Sequence, residues 1–145
     1  MSHDDSVQAS RFEGLSRRFA SAWQSRVPAL LGTMGMSEFR AMVAVQAQNQ
    51  AAMSDIARAL GLTLGATTSV VDRLVRAGFV LREHDSQDRR VVRIKLTPAG
   101  RAKASETLSR MTSDMAGLLE KLAEDERARF LDAFEAIVAQ AERAS

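Results

Sequence analysis

Apolar residues recur at helical spacing over most of the chain and at strand spacing in one short stretch. Val7, Phe12, Leu15, Phe19 and Trp23 follow mostly three- and four-residue steps, which predicts a first helix with one apolar face. Arg26-Val27-Pro28 and the glycines at 32 and 35 interrupt it. Ser37 is the expected N-cap of a second helix, with Phe39, Met42, Val43 and Gln46 as its amphipathic turn. The polar, alanine-rich run from Gln46 to Ala52 reads as the end of that helix and a connection. Ser54 to Gly61 then predicts a two-turn helix, with an acid near its N-terminus and a glycine behind its last apolar residue. Thr63 caps a further helix over Leu64 to Ala77, closed by Gly78. Two short helices joined through Gly61-Leu62-Thr63 form a helix-turn-helix pattern.

The period then changes. Phe79 to Glu83 is expected to be extended, and His84 to Arg90 is a polar turn. From Val92 the alternation is strict, with Val92, Ile94 and Leu96 on one side and Arg93 and Lys95 on the other. A hairpin directly after a helix-turn-helix makes a winged version of it. Thr97-Pro98 starts a long helix striped by Leu108, Met111, Met115, Leu118 and Leu122. The acidic stretch from Ala123 begins a last helix, striped by Phe130, Leu131, Phe134, Ile137, Val138 and Ala141. The expected fold is mostly α with a small β-hairpin. A winged helix-turn-helix over residues 36–100 is flanked by N- and C-terminal helices over 7–33 and 101–145. The terminal stripes exceed what a small winged core can cover. They pack on each other within one monomer or on a twofold mate; symmetric dimers are the commonest oligomers, so the mate is the expectation.

Composition narrows the chemistry. At 145 residues the chain is one domain, and with no cysteine it has no disulfide, thiolate metal site or thiol switch. The acidic, polar start is no secretory signal, and the charge-free stretch from Val27 up to Glu38 is too short for a membrane span. A cytoplasmic location is expected. The net charge of +2 is unevenly spread. Residues 54–101 hold nine Lys and Arg against five acids, whereas residues 102–145 hold six against nine. No enzyme is expected: there is no nucleophile motif or Gly-rich phosphate loop, and His3 and His84 lack partners at ligand spacing. No cofactor or metal is called for. Glu124-Asp125-Glu126 suits a helix N-terminus by its dipole.

The basic segment has a pattern. On the helix from Leu64, the spacing turns Thr67, Val71, Leu74 and Gly78 inward, with Val70 alongside. Thr68, Ser69, Asp72, Arg73 and Arg76 face outward. Hydroxyls and arginines without a bulky hydrophobe suit phosphates and a major groove. The plain alternative is a solvated face tied by an Asp72–Arg76 pair. Gly65 and Ala66 have little side chain, so the helix start can approach a duplex closely.

Leu60 to Val80 resembles the helix-turn-helix of the MarR family of bacterial transcriptional regulators. Asp85-Ser86-Gln87-Asp88-Arg89-Arg90 resembles that family's wing signature, and Val92 to Gly100 is similar to its strand-to-helix junction. The resemblance implies a homodimer on a pseudo-palindromic double-stranded DNA operator, acting as a repressor. It further implies that Arg90 enters a minor groove while Asp88 orients the neighbouring arginines or braces the wing. Arginine suits the negative potential of a narrow minor groove. The DNA-contacting set is therefore Gly65, Thr67, Thr68, Ser69, Arg73, Arg76, Asp88, Arg89 and Arg90. Thr67 is included although its spacing turns it inward. Where many members carry a basic residue after the motif threonine, this chain has Ser69, so a bidentate guanine contact from that position is lost. The resemblance also implies a small, often aromatic or phenolic, effector that releases DNA. Phe19, Trp23, Phe39, Met42, Met111 and Met115 are its candidate lining, and ordinary core packing is the competing role of each. The rival to the whole reading is a winged-helix module that binds protein and never DNA, for which Arg73, Arg76 and Arg90 would be dispensable.

Overall fold

The computed structural model describes residues 3–85, 88 and 91–144. The element order is α1 (His3–Gln24), α2 (Val27–Leu31), α3 (Met36–Ala47), β1 (Ala51–Ala52), α4 (Met53–Leu60), α5 (Leu64–Arg76), β2 (Val80–His84), β3 (Val92–Leu96), α6 (Pro98–Leu119) and α7 (Glu124–Arg143). The chain divides into two compact units, one through Thr107 and one from Leu108.

In the first unit, α3, α4 and α5 pack around a three-stranded antiparallel sheet of order β1-β3-β2. Met42, Val45, Ile56, Val71, Leu74 and Ile94 are buried at its centre. Each such side chain contributes about 1.5–3 kcal/mol through burial. The hairpin register runs from Val80 opposite Leu96 to His84 opposite Val92, and Ile94 and Leu96 turn into the core as their alternation predicts.

The extra strand was not expected. Ala51 and Ala52 pair with Ile94 and Arg93, and alanine carries almost no strand preference of its own. The free edge of β3 recruits them, after a turn in which Asn49 takes a left-handed φ of 61°. The buried stripe of α3 also differs: Phe39, Ala41, Met42 and Val45 are buried, whereas Val43 and Gln46 are exposed.

Three helices begin in a way the residues disguise. The expected cap Ser37 lies inside the first turn of α3, whose N-cap is Gly35. The Glu38 carboxylate reaches back to accept the Gly35 N–H at 2.9 Å. Asp55 does the same for Ala52 at 3.2 Å, and Glu126 for Ala123 at 3.1 Å. Each is the back-reaching half of a capping box, because a glycine or alanine cap has no oxygen for the other half. By contrast, α5 has an N-cap side chain: Thr63 Oγ1 accepts the Ala66 N–H at 3.3 Å. Gly61 closes α4 in the left-handed region, at φ 67°, where a side chain would be strained.

On α1, Val7, Phe12, Leu15 and Phe19 are exposed. In the second unit, α7 buries none of its residues, and Phe130, Leu131, Phe134, Ile137 and Val138 face outward. Phe130 and Phe134 stack at 5.8 Å between ring centroids. Among the described residues no helix is long and apolar enough to cross a membrane.

Candidate nucleic-acid interface

The orientation of α5 follows from its buried side. Thr67, Val70, Val71 and Leu74 are buried, so at about 100° per residue the opposite line carries Gly65, Ser69 and Arg76 within about 40° of one another. Asp72 and Thr68 flank that line on one side. Arg73 lies about 60° round from Arg76 on the other, towards α3. All six are exposed or half-exposed.

Thr67 requires a correction. It has no exposed surface, and its Oγ1 donates to Thr63 O at 2.9 Å inside the core, so it cannot reach a duplex. Its two neighbours stay outside. Thr68 Oγ1 donates to Leu64 O at 2.8 Å and Ser69 Oγ to Gly65 O at 3.3 Å. Both hydroxyl oxygens therefore keep acceptor capacity toward solvent.

The charges are tied differently from the expected Asp72–Arg76 pair. Asp72 accepts from Arg82 of β2 at 2.6 Å. Arg73 donates through Nε to Glu38 of α3. Successive residues of α5 are thus paired with neighbours on opposite sides, and Arg82 neutralises the acid on its outward side. Burial taken alone would raise the Glu38 pKa, but the hydrogen bonds from Arg73 and from the Gly35 N–H, with the Arg73 charge, lower it. Among the described residues, no carboxylate is paired with Arg76.

The wing is braced at its base. Arg93 Nε donates to Asp85 Oδ2 at 2.9 Å, and Asp85 Oδ1 accepts the Asp88 N–H at 3.3 Å. Lys95 pairs with Glu83 across the strands at 2.5 Å. Asp85 is thus one brace of the wing root, and the Asp88 backbone joins it: its N–H goes to Asp85, and its carbonyl accepts the Val91 N–H at 2.9 Å. Sequence reasoning gave this role to Asp88 and missed Asp85; the signal that could have found it is an aspartate at the start of a polar turn, placed to accept a backbone N–H. Arg89 and Arg90 lie outside the described residues.

The proposed effector lining is divided. Phe39 and Met42 are buried in the winged core, where their observed role is packing. Phe19 and Trp23 stack on α1 at 5.9 Å. Met111 and Met115 are half-buried and belong to the other unit.

A helix-turn-helix with an outward polar face and an adjoining wing is now in place, and residues 34–92 match the model of the MarR family. That match covers 59 of the 145 residues, so over its winged region the chain is similar to the MarR family. Two repressors of Bacillus subtilis are similar to it. The HTH-type transcriptional repressor YetL is 30% identical over 78 residues, covering 54% of this chain and 47% of YetL. The HTH-type transcriptional repressor MdtR is 35% identical over 74 residues, covering 51% of this chain and 48% of MdtR. The matched stretches span about half the length of these curated relatives. Among solved structures, a MarR family protein from Bacillus stearothermophilus has the same fold. Its TM-score is 0.83 at 23% identity, over 98% of this chain and 99% of that one. A mutant of MepR from S. aureus also shares the fold, with a TM-score of 0.78 at 20% identity, over 90% of this chain and 98% of that one.

Proposed function

We propose that this chain is a member of the MarR family and one subunit of a homodimeric, sequence-specific DNA-binding repressor, released from its operator by a small aromatic or phenolic ligand. The observation that carries the reading is the outward side of α5. There Gly65, Thr68, Ser69 and Arg76 line a polar, cationic strip, with Leu64 and Val75 exposed only at its Thr68 edge. Gly65 lets the start of the helix approach a duplex. The hydroxyls of Thr68 and Ser69 meet base edges, and Arg76 neutralises a phosphate. Arg90 reaches the flanking minor groove, Arg89 is a further DNA contact, and Asp88 orients the neighbouring arginines or braces the wing.

The apolar residues exposed on α1 and on α7 support a second copy as their cover. A twofold pair presents two copies of α5 to successive major grooves, so the operator is a pseudo-palindrome with half-sites about one helical turn apart. The ligand favours a spacing of the two recognition helices that fits those grooves less well, and its differential affinity for the two spacings drives release.

Selection of bound sequences from random duplexes tests binding and yields the operator. Affinity should fall steeply with salt, because phosphate contacts release counterions. Changing Arg73, Arg76 and Arg90 together to alanine should abolish binding while light scattering still reports a dimer. Salt-insensitive binding, or binding untouched by the triple substitution, would overturn the reading.

A further inference from the structure

Glu38 was not singled out by any sequence pattern, yet it occupies a decisive place beside the recognition helix. Its side chain is only 16% exposed, whereas that of Arg73 is 48% exposed. The carboxylate has two tasks. Oε2 accepts the Gly35 N–H and so caps α3, and Oε1 accepts Nε of Arg73, thirty-five residues away. The cap needs only a carbonyl-type oxygen, which glutamine also offers. The negative charge of Glu38 therefore acts chiefly on Arg73.

Arg73 sits at the flank of the outward side of α5, within a swing of where a phosphate strand would run. A half-exposed ion pair is weakly held, and a duplex offers a dense row of competing anions. We propose that Glu38 limits the DNA affinity of this protein by competing with a phosphate for Arg73, making it a positioning residue of the interface. The proposal rests on the DNA-binding reading above. With Glu38 charged, Arg76 is the cation that α5 presents to the backbone, and Arg73 adds to binding only when it leaves Glu38. Arg82 has no such effect, since it neutralises Asp72 without withdrawing a cation from the helix.

The test is the salt dependence of binding to a labelled mixed-sequence duplex, followed by fluorescence anisotropy. For Glu38→Gln the plot of log affinity against log salt should steepen by about 0.9, so that between about 50 and 200 mM it loses roughly 3.5-fold more affinity than the wild type. Its affinity at the low-salt end should exceed that of the wild type several-fold. In an Arg73→Ala background the same substitution should change neither quantity. An unchanged or shallower slope for Glu38→Gln, or a steepening that persists without Arg73, overturns the proposal while leaving DNA binding intact. Wild-type protein that binds no duplex overturns both readings. A second comparison does not depend on how well Glu38→Gln folds. Arg76→Gln should flatten the slope by about 0.9 and Arg73→Gln by clearly less, and equal flattening overturns the competition.

Discussion

Replacing Gly100 with alanine separates what a helical position suggests from what its surroundings allow. Gly100 lies in the first turn of α6, and helix propensity alone makes alanine the better residue by about 1 kcal/mol. A Cβ at this position would, however, stand 1.9 Å from the backbone oxygen of Phe79 and 2.8 Å from its carbonyl carbon. The obstacle is backbone, so no side chain can rotate away. Opening the contact to about 3.0 Å means moving the start of α6 away from the backbone of Phe79, just before β2. The same spot holds three hydrogen bonds. Thr97 N–H donates to Phe79 O at 3.0 Å, Thr97 Oγ1 donates to Gly78 O at 2.7 Å, and the Gly100 N–H donates to Thr97 Oγ1 at 3.0 Å. Loss of two or three of these, at about 1 kcal/mol each, outweighs the propensity gain and leaves a net destabilisation of about 1–2 kcal/mol. For a chain of this length that lowers Tm by roughly 3–10 °C. Far-ultraviolet circular dichroism at fixed protein concentration measures it, the concentration being held because self-association shifts Tm. Gly117→Ala in the same helix is the control. Nothing lies within 4 Å of its Cβ, so stability should rise by about 0.5–1 kcal/mol. A Gly100→Ala protein melting at or above the wild-type temperature would refute the steric argument.

Three further outcomes follow from buried groups. Thr67→Val should change stability by less than about 1 kcal/mol, because Thr63 O keeps the Thr67 N–H at 2.9 Å after the hydroxyl is lost. DNA affinity should be unchanged, and a selective loss of binding would return Thr67 to the interface. Thr107 is buried with an unpartnered Oγ1, so Thr107→Val should raise stability by about 1 kcal/mol in urea denaturation; a fall would mean that the hydroxyl has a partner. Glu38 has a folded-state pKa below its ordinary value, so its contribution to stability is complete above the unfolded pKa. It is lost as pH falls through the folded value, in the acidic range below roughly pH 4–5. The urea midpoint should therefore decline on acidification more steeply in the wild type than in Glu38→Gln, and parallel declines would contradict this.

Much of the winged region is legible because its signals are local. Thr63 and Gly61 sit within a few residues of the turns they make, and the inward residues Val70, Val71 and Leu74 repeat at the period of the helix they belong to. The strict alternation of Val92, Ile94 and Leu96 likewise reports one face of one strand. Where a signal was weak, the local reading slipped. Ser37 has the usual chemistry of a cap, but Glu38 next to it stabilises a start two residues earlier by reaching back to Gly35. The two alanines of β1 carry no strand pattern at all, since their pairing is a property of the β3 edge.

The amino-acid order by itself determined the longer helices, the hairpin, the winged topology and the side of α5 that turns away from the core, because periodicity and capping act over a few neighbouring residues; the short α2 and β1 lay outside that reach. Only the tertiary structure decided which charges meet. Glu38 reaches Arg73, Arg82 takes Asp72 from the expected Arg76, and Phe79 leaves no room for a Cβ at Gly100. An ion pair or a steric limit between distant segments depends on which surfaces packing brings face to face, and no short window of sequence contains both of them.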